Sequence, residues 1–426
     1  MLVSKPKVSF SRSIDASLRN RLFSAIQAAT QIDGEGRVSW SLDDIDQYIA
    51  VLRDAFDFPD ELSRRECGRI VWDGIIKARK AGKLTDSSVL REFQLITDQR
   101  LRERPVKFSM WSRLSYRPSA GEPDRLFSYG DVSMRLSGKL PRYMHIPEEE
   151  MSKLQPIPTK DKVGCGFFIA TTHARNEANA ADKIFGATEI LHAIYNLALR
   201  PWNIMGSEQR PEATLLMGPY HFLYREGKPL HHKSTWYNQN FRDEHWNPTS
   251  SESRKVIASA KSIRRALSKL EEHPLKKPLS SCLLMMNDGM EAADMSRRTL
   301  RYWTALERLF QSDDETVPYD KLIRRSTYLD DPADLARAKL NRLRRIRNSY
   351  VHMGVTDNEH HQLTQYLADH VKAHLFYLLF NGDDFANHGE FIEMVDLPSD
   401  PSSLRRRRYA IDRRERMIET RRHRHD

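Results

Sequence analysis

Cysteine is scarce in this chain: three residues in 426, Cys67, Cys165 and Cys282, stand far apart. An odd number at such spacing provides neither a disulfide framework nor a thiolate pair for a metal, and it fits the reducing cytoplasm. Long apolar runs are also missing. The longest in the C-terminal half, "HLFYLLF" at 374–380, falls far short of the roughly 20 residues that a membrane-spanning helix requires, so no membrane partner is expected. The opening "MLVSKPKVSFSRSIDASLRN" lacks an apolar centre, and no secretory leader is expected. Neither G-x-x-x-x-G-K-S/T nor G-x-G-x-x-G occurs, so nothing points to a bound nucleotide. No cofactor is expected, and there is no internal repeat.

What is present is the composition of a soluble globular protein, 39% hydrophobic and 30% charged, in a chain long enough for two or three domains. The net charge of +10 is unevenly placed. From Arg405 to Asp426 ten arginines face four acids, leaving +6, so the rest of the chain carries +4. Arg405, Arg406, Arg407 and Arg408 head this tail. A second concentration, "RAKLNRLRRIR", holds Arg337, Lys339, Arg342, Arg344, Arg345 and Arg347 with no acid among them. Concentrated positive charge is a footprint for phosphate, and RNA is the partner expected for both runs. For either run alone a solvated helix face is the simpler reading.

The apolar spacing divides the chain. Residues 1–106 read as helical, with "SLDDIDQYIAVLRDAF" and "LSRRECGRIVWDGIIKARKAGKL" showing three- and four-residue periods and Ser41 and Ser63 as N-caps. Residues 107–250 read as mixed α/β, a sensor or substrate-selecting region. Strands are expected in "KFSMWSRLSYRP", "DVSMRLSGKLP" and "GCGFFIATTHA", then a helix in "NAADKIFGATEILHAIYNLAL" and a strand pair around Gly227-Lys228-Pro229. The polar, turn-rich 247–253 marks a boundary. Residues 251–384 read as an antiparallel helical bundle, with helices expected in 253–270, 289–310, 319–329, a run opened by Asp331 and Pro332 and closed by Gly354, and a last one closed by Gly382. Thr356 and Glu359 have the spacing of a capping box. Residues 385–426 form a C-terminal extension whose Arg-rich tail, 403–426, has acids near arginines at helical spacing and can form a helix, but is expected to be mobile without a partner. The fold class is α+β.

"RIRNSYVH", 345–352, lies in the fourth bundle helix. At about 100° per residue, Leu343, Ile346 and Tyr350 define an apolar stripe with Leu340 beside it. Arg347 falls at its edge. Asn348 and His352, at i and i+4, share a face turned away from it. A lone histidine is more often structural than catalytic. A cation, an amide and an imidazole in the last two turns of one helix are a kit for RNA cleavage. The imidazole can move a 2′-hydroxyl proton or protonate the leaving oxygen. The guanidinium can grip phosphate oxygens and stabilise the pentacoordinate transition state. In "YWTALERLF" the residues Trp303, Leu306 and Phe310 form one face with Glu307 inside it. A carboxylate there needs a partner, and Arg347 is a candidate.

These residues carry a family resemblance. "RNSYVH" matches the R-N-x-x-x-H signature of HEPN domains, and "WTALERLF" resembles the W-x-x-L-E-x-L segment of the Apea-like HEPN group. The resemblance covers roughly 253–382. It implies an all-helical bundle and a metal-independent endoribonuclease, a toxin or abortive-infection effector against phage, answering to a phage-derived trigger or an antitoxin. Arg347, Asn348 and His352 would be the catalytic set, with Glu307 in support. Family members pair two such domains. One motif per chain therefore implies a homodimer, and the outward Asn348 and His352 agree.

Rival readings remain. Glu226-Gly227-Lys228 could be the E-x-K of a metal-dependent nuclease, but no aspartate stands on a preceding strand and a hairpin turn fits better. His370 and His374, at i and i+4, could bind a metal. Without a visible third ligand they read as one polar edge of a long helix. A non-catalytic binding or dimerisation module is the remaining alternative.

Overall fold

The computed structural model describes residues 7–422 apart from 12–13, 36, 41–44, 83, 118–122, 145–165, 201–211, 231–234, 239–240, 242–248, 251–253, 313–314, 331, 354–360 and 399. Helices Ala16–Ala28, Ile45–Arg53, Arg64–Lys80 and Asp86–Arg102 form an N-terminal unit. Its own core is built on Phe23, Ile26, Leu52, Phe56, Val71, Ile75 and Phe93. Ser63 caps the third helix as expected: its hydroxyl accepts from the Glu66 N–H, and the Glu66 carboxylate accepts from the Ser63 N–H at 2.9 Å. Ser41 lies outside the described residues. Glu66 is buried and also accepts from Asn176 Nδ2 at 2.8 Å and Asn179 Nδ2 at 3.1 Å. Asn176 is the N-cap of the helix Glu177–Leu199, so one carboxylate joins the N-terminal unit to the next layer.

That layer is a seven-stranded sheet with the order Lys228–Pro229, Met217–Arg225, Val106–Leu114, Gly166–Ala174, Val132–Ser137 and Arg125–Tyr129, and with Thr235–Tyr237 also paired to Met217–Arg225. Every pairing in it is antiparallel. The three expected strand segments and the expected strand pair are present, and Arg125–Tyr129 and Thr235–Tyr237 are strands that the pattern did not disclose. Glu226 and Gly227 both have positive φ, 50° and 78°. They form the two-residue turn of a hairpin, where such angles match the twist of the flanking strands. The hairpin turn preferred there over an E-x-K motif is thus present, with Glu226 and Gly227 as its two turn residues.

One sheet face presents Phe108, Met110, Leu114, Phe168 and Ala170 to the helix Glu177–Leu199. The other gathers Trp111, Ile169, Phe222 and Tyr224 into a small cluster. Glu177–Leu199 is buried around most of its circumference, as a helix covered on both sides must be. Beyond the sheet it packs on Arg254–Glu272 and Lys276–Glu291. One continuous core therefore runs from Phe108 in the sheet to Val395 in the bundle. The expected boundary at 247–253 is described only at Thr249–Ser250, which pair in parallel with Tyr116–Arg117.

The bundle continues with Met295–Phe310, Tyr319–Ser326, Ala333–Met353, His361–Asn381 and the short His388–Val395. The fold is α+β: a mixed N-terminal region followed by a helical bundle. One expectation needs correction. Residues 289–310 are not a single helix. Lys276–Glu291 ends there, Ala292 is extended, and Asp294 caps the next helix by accepting from the Arg297 N–H at 2.7 Å. The earlier helix was hidden by Pro278, which its first turn tolerates. Gly382 closes His361–Asn381 as expected, its N–H donating to the Leu378 carbonyl at 2.8 Å. The tail forms a helix, Pro401–Arg422, exposed throughout 404–416. Among the described residues no helix is long and apolar enough to cross a membrane.

Gly289 lets Lys276–Glu291 and Met295–Phe310 meet. A Cβ there would lie inside contact distance of the Tyr302 ring, which is fully buried and donates its hydroxyl to Glu212 at 2.9 Å. Gly289→Ala is expected to lower stability by about 1–3 kcal/mol through overpacking. Urea denaturation checks this; an unchanged midpoint would show that the two helices separate freely.

Candidate functional site

Ala333–Met353, the motif helix, is anchored by the stripe anticipated from its sequence. Leu340 and Leu343 are fully buried and Ile346 packs against the same core. Arg347, Asn348 and Tyr350 are half-buried, and Val351 and His352 are exposed. Pro332 stands immediately before the first helical residue. Asp331, Gly354 and the expected capping box Thr356–Glu359 lie outside the described residues.

The partner of Glu307 differs from the one expected. Its Oε1 accepts from Trp303 Nε1 at 2.9 Å, one helical turn back. Burial pushes the carboxyl pKa up, opposed by the positive charge of Arg347 and by the indole hydrogen bond. Arg347 is thus near enough to act on Glu307 through space, while the indole supplies the direct contact. The arginine has three further constraints. Its guanidinium lies 5.5 Å from the centre of the Tyr319 ring, itself 6.0 Å from the Trp303 ring. Its Nη1 donates to Asn348 Oδ1 at 3.2 Å. Its Nε is buried and has no hydrogen-bond partner among the described residues. Occupying the Asn348 oxygen leaves the amide NH₂ as that residue's group for an incoming acceptor. Tyr319 was not singled out from sequence, since nothing in its spacing marks it as the plate under Arg347.

The expected phosphate-binding run is split by the structure. Arg342 and Arg345 are exposed, and at 100° per residue they share the outer ridge with His352. Arg344 is tied to Asp320 at 2.6 Å, Arg337 to Asp334 at 3.4 Å, and the Lys339 ammonium sits 4.4 Å from the Tyr366 ring centre. Arg405, Arg406, Arg407 and Arg408 are exposed on the separate tail helix. His370 and His374 are not a polar edge: they are 6% and 2% exposed. The turn carrying Tyr328 and Asp330 covers that side of the helix, with Tyr328 stacked on His374.

No family model, curated protein or solved structure matches this chain. The chemistry of the site is therefore read from its own residues. It offers one half-buried carboxylate, a held guanidinium, an amide and a solvent-facing imidazole.

Glu307 provides a test of the local electrostatics. Its pKa is raised on folding, so its ionisation opposes folding as pH rises from the unfolded value, about 4.3. Glu307→Gln keeps an acceptor for Trp303 and cannot ionise. The variant is expected to gain stability relative to the parent between pH 4 and pH 7, read from denaturation midpoints. A gain in the opposite direction would mean that the Arg347 charge outweighs burial.

Proposed function

We propose that the chain is a metal-independent endoribonuclease of the HEPN type, cutting RNA by attack of a 2′-hydroxyl on the adjacent phosphodiester. One observation carries the reading: Asn348 and His352 stand on the outer side of a helix whose inner stripe is locked into the core, and Arg347, at the edge of that stripe, is already held by Tyr319, Asn348 and the field of Glu307. His352 moves the proton at the 2′-oxygen or the leaving 5′-oxygen. Arg347 and the Asn348 NH₂ hold the non-bridging oxygens. A second copy brings a second motif, so the active form is a homodimer through the bundle. In the cell the protein acts in the cytoplasm as a growth-arresting toxin or abortive-infection effector, released by a phage-derived trigger or by loss of an antitoxin.

Purified protein incubated with total RNA should leave 2′,3′-cyclic phosphate ends. His352→Ala should lower the rate on the order of 10²–10⁴-fold. Arg347→Lys should also lose activity, because a point charge cannot replace the planar fork. Wild-type rates in His352→Ala, or cleavage that depends on added magnesium, would overturn the mechanism. Intact RNA binding with no cleavage by the parent would favour a binding module instead.

The tail is assigned to sequence-independent phosphate binding. Truncation after Ser403 should weaken RNA affinity and flatten its salt dependence by roughly 0.7 in log–log slope for each phosphate of a single strand that the tail had neutralised, with the cleavage pattern retained. An unchanged slope with a shift toward monomer in light scattering would place the tail in the dimer interface.

A further inference from the structure

Asp330, His370 and His374 converge although the first and last are 44 positions apart in the sequence. Asp330 lies in the turn between Tyr319–Ser326 and the motif helix, and the histidines stand one turn apart on His361–Asn381. One ligand atom from each of the three lies within 4.8 Å of the others. The two imidazole rings are 4.5 Å apart, edge to face, and Asp330 Oδ1 is 3.5 Å from His370 Nδ1.

Buried polar atoms are normally paired. Here, among the described residues, Asp330 Oδ2, His370 Nε2 and His374 Nδ1 are all buried without a hydrogen-bond partner, as are the hydroxyls of Tyr328, stacked on His374, and Tyr366, stacked on His370. Unpaired atoms on two histidines and an aspartate are donor atoms without an acceptor, which a cation would satisfy. We propose that Asp330, His370 and His374 form a binding site for a divalent transition-metal ion, zinc in the first instance, fastening the turn before the motif helix to His361–Asn381.

The donor set fits. Two imidazoles and a carboxylate suit zinc and its first-row neighbours better than magnesium or calcium, which take oxygen ligands. Tetrahedral zinc bonds of about 2.0–2.2 Å place ligand atoms about 3.3–3.6 Å apart, within reach of small side-chain shifts. Both histidines must be neutral and the aspartate ionised to bind. A backbone hydrogen bond with Ser326 engages His374, the outer support that ligating histidines typically have. The partly exposed Asp330 side chain gives an entry path. Lys339, across Tyr366, is the opposing charge.

The ion is structural. Its site lies at the start of the motif helix, and His352 is about 28 Å further along it at 1.5 Å per residue. The proposal is therefore independent of the cleavage chemistry, and RNA cleavage is not its readout.

The full chain, without a histidine tag, is stripped with chelator and titrated with Zn(II). Bound metal is measured by mass spectrometry and stability by thermal melting, and Co(II) is then substituted to read the visible spectrum of the site. The parent should take up one ion per chain and melt at higher temperature with it. Asp330→Asn and His374→Leu should each weaken uptake by more than about 10²-fold and abolish the thermal shift. If His374→Leu does not fold, Asp330→Asn decides, because its side chain reaches solvent and keeps its shape. No uptake by the parent, or uptake and thermal shift unchanged in Asp330→Asn, overturns the proposal. The unchanged result would assign the ion elsewhere, such as His423 and His425 of the tail.

Discussion

A single buried carboxylate, Glu212, holds the molecule's layers in register. Its Oε2 accepts from Arg200 Nε at 2.9 Å and from the Tyr302 hydroxyl at 2.9 Å, and its Oε1 accepts from Arg298 Nη1 at 3.0 Å. Arg200 ends Glu177–Leu199 and reaches on to Asp369 of His361–Asn381 at 2.6 Å, while Lys372 Nζ of that helix donates to the Arg200 carbonyl at 3.1 Å. Burial would raise the Glu212 pKa, yet the two arginines keep it lowered. Such a cluster is demanding. Each ion loses hydration worth several kcal/mol, and taking away one member strands the rest for a loss of about 3–5 kcal/mol. The arrangement contributes specificity of geometry: three helices and a loop can satisfy these groups in one relative placement.

That placement carries through to the candidate site. Tyr302 and Arg298 fix the rotation of Met295–Phe310, so Trp303 is buried and directs its indole N–H to Glu307. Glu307 sets the field at Arg347, and Tyr319 supplies the plate beneath it. Leu340 and Leu343 press the motif helix into the same core, which leaves His352 outside. The exposed end of the helix is orientated by groups a long way inside the protein.

Much of this was legible because it is periodic. The 100° rule placed Leu340, Leu343 and His352 on the sides where they stand, and alternation marked three of the sheet's long strands. The capping box at Ser63 is a local signal and was read as a cap. What escaped reading depends on contacts between distant residues. Glu212 meets Arg298, Arg200 meets Asp369, and Asp330 meets His374 only after the chain has folded back, and no spacing encodes them. The helix break at Ala292 escaped for a different reason: the residues on both sides form helices well, and the stop is made by a three-residue turn whose only signal is Asp294. The need of Glu307 for a partner follows from its place on an apolar face, but its direct donor is the uncharged indole of Trp303 at i−4, which a search for opposite charge does not reveal.

Glu66 gives the N-terminal unit a role that a linker could not. It lies in the first turn of Arg64–Lys80 and touches Asn176 and Asn179 at the start of Glu177–Leu199. The positive ends of two helix dipoles therefore converge on one anion. Arg65 with Asp182 at 2.7 Å, and Arg175 with the Glu61 carbonyl, close the junction on either side. A rotation of the N-terminal unit would break both asparagine contacts of Glu66 together and strand a buried carboxylate at the start of the helix that is the spine between sheet and bundle. Anything that grips residues 7–102 thus has a stiff lever on the layer to which the motif helix is ultimately fastened.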